Sequence, residues 1–477
     1  MIKSFTKIIL MFFLVNIALF LQGCAAQRAQ YYNNLDNLIV NEQFEEASNL
    51  VVSSKEDSYG KNNALLYYLD LGFTKHMSGN WEESNIAFER AKQIARDYFT
   101  KSITQESKTL LISDAMRPYY GEDFERSLIN IFCALNYIFL DNEQAALVEA
   151  RQVDHFLNTI QIKYGQKSRY KEDAFARYLM GMIYENQHEY NDAFISYRQA
   201  MKVYEYYAGM FDTPLPISLV EDAMRMAKRL KFNDEIREIE SKYPSVTDEE
   251  KIPDTYGELV LFHYNGKSPV KSETIFEVSF GEAWIHVGSF QPADEEEADF
   301  EQAGSIARTI LADEMIRISF PKYVDAEYEI HTMNANTDVG NSQNSFLVEN
   351  IGAIAKKSLD DKIDRTRIRA IARAAIKFTL AKGASNKVEE KTRDKGLAWL
   401  TKKVLQVAAN ATEHADKRSW RSLPDQIEMV KMYLPEGAHD VHLNFKDNNG
   451  NIIETKVIYG QLIKRGQKSF AVVRTAK

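Results

Sequence analysis

Two cysteines serve a chain of 477 residues. Cys24 lies near the start and Cys133 sits in the apolar run Leu128–Leu135, so neither an internal disulfide framework nor a cysteine-based metal site can be built. Cys133 reads as a small buried hydrophobe. The histidines are scattered. The closest two, His439 and His442, are three apart in a strand-like stretch whose alternate side chains face opposite ways, which does not make a metal pair. There is no Walker loop, no HExxH, no GxSxG and no GxGxxG. Cationic excess is missing too. The formal net charge of −9 argues against nucleic acid and against a general electrostatic hold on anionic lipid. No metal, no cofactor and no catalytic set are expected, and a binding role is favoured over an enzymatic one.

The N-terminus carries the first positive signal. Lys3 and Lys7 precede an apolar stretch, Ile8–Leu21, broken only by Asn16. That stretch is shorter than the roughly 20 residues of a membrane span and has the length of a secretory core. It ends in Leu21-Gln22-Gly23-Cys24, which resembles the lipobox of bacterial lipoproteins. The resemblance implies a signal peptide over 1–23, a diacylglyceryl group on the Cys24 thiol, and a short tether over 24–30. Two or three acyl chains hold stably, since each buried methylene contributes about 0.8 kcal/mol. Ala25, in place of the aspartate that retains such proteins in the inner membrane, favours the outer membrane.

Two periods divide the remainder. Over 31–244 apolar residues recur three and four apart, as in helices. One unit runs Tyr178–Tyr184 and then Tyr190–Ala200, and it resembles the tetratricopeptide pattern. Gly181 and Ala193 would lie where two helices touch, and Tyr184, Tyr197 and Ala200 would fill the groove to the next hairpin. A second unit places Gly72, Ser84, Phe88 and Ala91 at the same offsets. A looser third uses Ala134, Tyr137, Ala146 and Ala150, and Phe44–Ala47 would open the array. Residues 245–255, with Pro253 and Asp248-Glu249-Glu250, read as a linker. Over 256–477 the period becomes two. Strands are predicted at Leu259–Tyr264, Ile275–Phe280, Ile316–Phe320, Tyr328–His331, Met429–Leu434, Val441–Phe445, Ile452–Ile458 and Ser469–Val473. A helical hairpin, Asn350–Ala381 and Gly396–His414, is inserted at about 350–415 and would cover an open sheet face. The expected fold is therefore α+β and multidomain: an N-terminal solenoid of tetratricopeptide-like hairpins and a C-terminal β-sandwich-like domain with a helical-hairpin insertion. Solenoid stability is a sum of local repeats and their neighbours, so overpacking Ala193 should destabilise the helical half first and leave the strand-rich half largely intact.

Two stretches, Pro118–Glu125 and Ala415–Pro424, together with the lipobox, resemble a family of uncharacterised bacterial tetratricopeptide-containing outer-membrane lipoproteins. The resemblance covers most of the mature chain. It implies outer-membrane attachment facing the periplasm and supplies no catalytic residues. The function expected from both lines is a lipid-anchored scaffold that binds a cell-envelope protein or peptide in its concave helical surface. The alternatives are a regulatory lipoprotein that activates a peptidoglycan synthase, and a cell-wall-modifying enzyme. For the enzyme, Glu122 and Asp123 would be the acid/base pair, although carboxylates at a helix start more simply cap free amides. Asp294–Glu297 reads as a solvated loop. In the second half, Arg418, Trp420 and Arg421 have the composition of an interface hot spot. Their simpler role is a buried Trp with the arginines paired to acids. Oligomeric state is not encoded in any of these patterns.

Cys24→Ser is expected to abolish acylation and release the protein from the membrane fraction. A variant that still sediments with outer membrane after a salt wash would show that lipid is not the main anchor.

Overall fold

The computed structural model describes residues 27–105, 117–163, 168–246, 253–279, 315–364 and 414–477, with a few more between 366 and 390. Cys24, the acidic run 294–297, most of the linker and the second insertion helix apart from His414 lie outside them. The chain is α+β, about half helix and a quarter strand.

Ten helices pair into hairpins: α1 (27–40) with α2 (Phe44–Ser53), α3 (Ala64–Met77) with α4 (Trp81–Gln105), α5 (Asp123–Phe139) with α6 (Glu143–Lys163), α7 (Ala174–Asn186) with α8 (Tyr190–Met210), and α9 (Ile217–Leu230) with α10 (Asn233–Lys242). The repeat is plainest in the backbone of the turns. Each first helix ends in a left-handed residue: Glu42, Gly79, Asp141, His188 and Lys231, with φ between 53° and 76°. The next amide then reaches back five residues, as Gln43 to Leu38, Asn80 to Lys75, Asn142 to Tyr137, Glu189 to Tyr184 and Phe232 to Ala227, at 2.8–3.0 Å. These bonds satisfy carbonyls that a helix end leaves bare. Only one of the five turn residues is glycine, so the others accept a strain of roughly 1–2 kcal/mol each. The last pair, α9 and α10, has no counterpart among the units read from sequence.

Small residues set the spacing inside each hairpin. A Cβ on Gly72 would lie 2.5 Å from the Phe88 ring, and one on Gly181 would overlap the Tyr197 ring. The Ser84 hydroxyl donates to the Gly72 carbonyl at 2.7 Å. Ala91, Ala134, Ala146, Ala150, Ala193 and Ala200 are buried. Tyr197 differs from expectation. It packs within its own hairpin on Gly181 and donates to Glu185 at 2.6 Å, so it does not bridge to the next unit. Tyr184 is buried and its hydroxyl meets Arg151 of the preceding hairpin.

The strands are β1 (Tyr256–Asn265), β2 (Val270–Ser279), β3 (Met315–Val324), β4 (Thr332–Thr337), β5 (Ser342–Asn344), β6 (Phe346–Asn350), then, after helix α11 (Ile351–Asp360), β7 (Gln426–Pro435), β8 (Gly437–Lys446), β9 (Ile452–Ile463) and β10 (Lys468–Thr475). One sheet has the order β10-β1-β7-β6, with β1 and β10 parallel. A second has the order β5-β4-β8-β9, and β2 and β3 form a separate ribbon. Tyr328–His331 is irregular and the strand begins at Thr332. Tyr328 instead donates to Asp425 at 2.6 Å, which ties its loop to the start of β7. β5 and β6 are too short to have shown an alternating pattern, and β5 is wholly polar.

The sheets stack. Leu259, Leu261, Val430 and Met432 of the first pack on Met333, Ala335, Leu443 and Phe445 of the second. The other face of the first sheet, with Val260, Phe262, Tyr264, Ile427 and Met429, joins the core of the helices. The molecule is thus three layers: helical array, inner sheet, outer sheet. The array covers the face of the inner sheet that the outer sheet leaves open. Of the inserted hairpin, expected to cover an open sheet face, only the start is described: α11 packs against α5, β3 and β7, and most of the rest lies outside the described residues.

Independent folding of the halves does not survive this arrangement, because one core runs from Tyr31 to Ala476. Ala193→Leu, which adds bulk at a fully buried site and should cost roughly 1–3 kcal/mol, is expected to lower a single calorimetric transition for the whole chain. A protease-resistant fragment beginning near residue 253 would show separable halves.

Candidate partner-binding groove

In a stack of helical hairpins the first helices line the concave side, and that side was expected to receive a partner. Here it is filled by the chain itself. Residues 415–425 cross the first hairpins as an irregular strap, and β1, β7 and β10 continue the filling along the array.

The strap is anchored by Trp420, which is 1% exposed. Its ring meets Phe73, Phe88 and Phe132 at centroid distances of 5.8–6.2 Å, mostly edge to face. Its amide donates to Glu125 at 2.7 Å and its indole N–H donates to Ser422 at 2.8 Å. Ser422 in turn donates to Asp70 at 2.7 Å. Arg418 bonds Asn63 at 2.9 Å, the Arg117 carbonyl at 2.8 Å, and Asp416 at 2.7 Å. Arg421 pairs with Asp36 at 2.6 Å and lies over the Tyr32 ring. The candidate interface Arg418, Trp420 and Arg421 is therefore corrected: it is an interface between two parts of one chain. Arginine and tryptophan suit any dry contact, internal or external, so composition alone does not tell the two apart.

Three buried polar groups fix the strap and sheet in register. At the first, Glu125 accepts from Trp420, from Tyr119 at 2.5 Å and from the Glu122 amide at 2.8 Å. Burial, with the Glu122 charge beside it, pushes its carboxyl up to about 7. Glu122 is also desolvated, but Lys271 and Lys362 outweigh that and hold it down at about 2. Asp123 pairs with Lys362 at 2.6 Å. Glu122 and Glu125 form a reciprocal capping box at the start of α5. These carboxylates are committed to capping and ion pairs, which is the simpler of the two roles read for Glu122 and Asp123.

At the second, His76 of α3 bonds Asn136 of α5 at 2.5 Å and the Tyr264 hydroxyl of β1 at 3.0 Å. Burial lowers its pKa to about 4, so the ring is neutral at pH 7. The third joins α7 and α9 to three strands. Lys431 of β7 lies 2.5 Å from Asp222 and 2.9 Å from Glu258. Lys468 of β10 pairs with Glu258 and with Glu185 at 3.1 Å. Arg225 closes the ring on Glu185 and, at 2.6 Å, on Asp222. Burial alone would raise the Glu185 carboxyl, but Lys468 and Arg225 hold it well below the carboxylate range. None of these residues was singled out by sequence reasoning. The partners of Lys431 and Lys468 lie more than 150 residues away, and a Lys at alternate strand positions looks like a solvent-facing one.

Among the described residues one grouping has metal-ligand spacing: Glu89, Cys133 and Glu149, with ligand atoms within 4.8 Å. The Lys92 ammonium already sits there, 2.9 Å from both Glu149 oxygens and paired with Glu89, and supplies the positive charge. His439 points inward, onto Asp338 at 3.0 Å and the Pro435 carbonyl at 2.8 Å, while His442 is exposed on the opposite face. A cleft of about 210 Å³ opens where the turns after α3, α5 and α7 meet the β9–β10 hairpin, lined by Trp81, Phe139, Asn186, Leu462 and Phe470 among others. Lys468 on its wall is neutralised by Glu185 and Glu258.

Solved structures similar to this chain are helical-repeat proteins. A putative kinesin light chain of Podosopora anserina with TPR-like repeats is 14% identical over 46% of this chain and 94% of its own, with a TM-score of 0.31. The apo form of RapI is 11% identical over 81% and 98%, with a TM-score of 0.34. The Pseudomonas aeruginosa protein pilF is 14% identical over 46% and 94%, with a TM-score of 0.21. No protein-family model matches the chain, and no curated protein matches it. Likenesses this weak add nothing to the repeat assignment, which rests on the geometry of the five turns.

Glu125→Gln would turn an –NH2 toward groups that donate, and should cost roughly 1–3 kcal/mol. The sign of the pH effect follows from the raised carboxyl. Its contribution is complete below the ordinary value of 4.5 and is lost as pH rises through about 7. The variant should therefore melt lower at pH 5 and lose less stability than the parent between pH 5 and 8. An unchanged pH slope would contradict the assignment.

Proposed function

We propose that the chain is a lipid-anchored scaffold of the cell envelope, held at the periplasmic face of the outer membrane through Cys24, and that it binds a protein partner on the outer side of its helical array. With the concave side filled, a partner has to use another surface. The observation that carries this reading is a ridge repeated by the hairpins. Ile86, Val148 and Ile195 are each the sixth residue of the second helix of their hairpin, in α4, α6 and α8, and all three are more than half exposed. Single exposed apolar residues need no explanation, but one at the same position of three successive repeats makes a row. β-branched side chains lose little rotamer freedom when covered, which suits a binding surface.

The test is a photo-crosslinking residue placed at 86, 148 or 195 in living cells, with position 237 on α10 as the exposed control. Discrete adducts shared by the three ridge positions and absent at 237 are expected. Adducts absent from all three, or equal at 237, would overturn the ridge as the partner surface. A peptidoglycan synthase recovered in the adduct would turn the scaffold reading toward the regulatory one.

A further inference from the structure

The outward face of the second sheet carries a pattern that becomes visible only once its strand order is known. In the order β5-β4-β8-β9 the inward residues of β8 are Val441, Leu443 and Phe445, so His442 and Asn444 face out. In β4 the outward residues are Asn334 and Asn336. The register then sets two rows across all four strands. The first is Asn344, Asn334, Asn444 and Thr455, and the second is Ser342, Asn336, His442 and Val457. The amides are partly tied to one another: Asn336 donates to Asn334 at 2.7 Å, and Asn334 donates to Asn344 at 2.9 Å. Their orientation is therefore set before anything binds. The side chains of Asn444, His442 and Thr455 make no hydrogen bond among the described residues. Beyond the second row Tyr459, on the same face of β9, is 78% exposed.

We propose that this amide-lined face, with Tyr459 at its end, is a binding site for a neutral chain of linked pyranose sugars. Strands lie about 4.8 Å apart, so a row spans roughly 14 Å, the length of a short oligosaccharide. Amide, hydroxyl and imidazole groups both donate and accept, as a polyol requires. The face of an exposed tyrosine ring stacks on the C–H face of a pyranose, while its hydroxyl stays in water. Charge decides against the other classes. Neither row holds an ionised side chain, in a protein where 27% of residues are charged. Asp440 and Lys446 stand only at the two ends of β8, and Asp440 is occupied by the Gly460 amide at 2.9 Å. A phosphate-bearing ligand would need a cluster of cations, and a protein interface would need an apolar or aromatic centre. This site is separate from the helical ridge and does not depend on the partner proposed there.

The experiment is isothermal titration of the full chain with the tetramer of N-acetylglucosamine and, in parallel, with maltotetraose. Binding of at least one tetramer is expected, weakened about tenfold by Tyr459→Ala and similarly by Asn334→Ala or Asn444→Ala. Arg237→Ala, on the exposed side of α10, should leave it unchanged. Tyr459 and Asn444 lie outside the core, so equal melting temperatures will show that the variants are folded. No heat from either tetramer at about 10 mM overturns the proposal. So does binding that survives all three substitutions, since it would lie elsewhere.

Discussion

The strand Tyr256–Asn265 is buried along nine of its ten residues, and a strand in that position needs a dry surface on each face. The outer sheet supplies one and the helical array supplies the other. Neither half can withdraw without exposing Phe262 and Tyr264 on one side or Leu259 and Leu261 on the other. The rest of the architecture follows from this. The concave side of the array curves around the inner sheet, the strap at 415–425 runs along the uncovered end, and Trp420 fills the space between α3, α4 and α5. Removing an aromatic of that size from a core costs about 3–5 kcal/mol, a large fraction of a protein's net stability.

Apolar burial holds the layers together but does not fix their register. The buried polar groups do. Lys431 and Lys468 each meet two carboxylates, one on the helices and one on β1. A shift of the sheet by one residue would turn these ammonium groups into the outer-sheet core, at a cost of several kcal/mol per uncompensated charge. The Glu125 acceptor and the His76–Tyr264 contact impose the same condition at the strap and at β1. Such contacts add specificity more than net stability. They explain why a groove of the kind that takes up mobile peptides here holds one fixed occupant. The proposed partner ridge and the proposed sugar site both lie outside this groove.

Features set by local geometry were legible in the sequence. Gly72 and Ser84, like Gly181 and Ala193, stand twelve residues apart because a hairpin of fixed turn and helix pitch repeats its contacts at a fixed offset. The strands around Leu261, Met432, Leu443 and Val472 were legible because alternation or an unbroken apolar run marks them. The unbroken run Leu259–Phe262 also held the sign of burial on both faces, and with it a hint that something would cover the sheet. What was not legible depends on contacts between distant residues. Trp420 meets Glu125 across 295 positions, and Lys431 meets Asp222 across 209. The amide rows need the order β5-β4-β8-β9 before Asn334 and Asn444 become neighbours. Strands near Tyr328 were misplaced because a Tyr and an Ile in a loop tied down by Asp425 look like a strand.

Occupation of the helical groove by its own chain is the feature on which everything else turns, and native-state hydrogen exchange tests it most directly. If the strap and inner sheet are part of one core, the amides of Trp420, of 259–264 and of 428–433 will exchange as slowly as those of α3 and α5, and all will open together as denaturant is added. Rapid exchange at 415–425 while α3 and α5 stay protected would mean that the strap leaves the groove freely, and would contradict a single core shared by helices, strap and sheet.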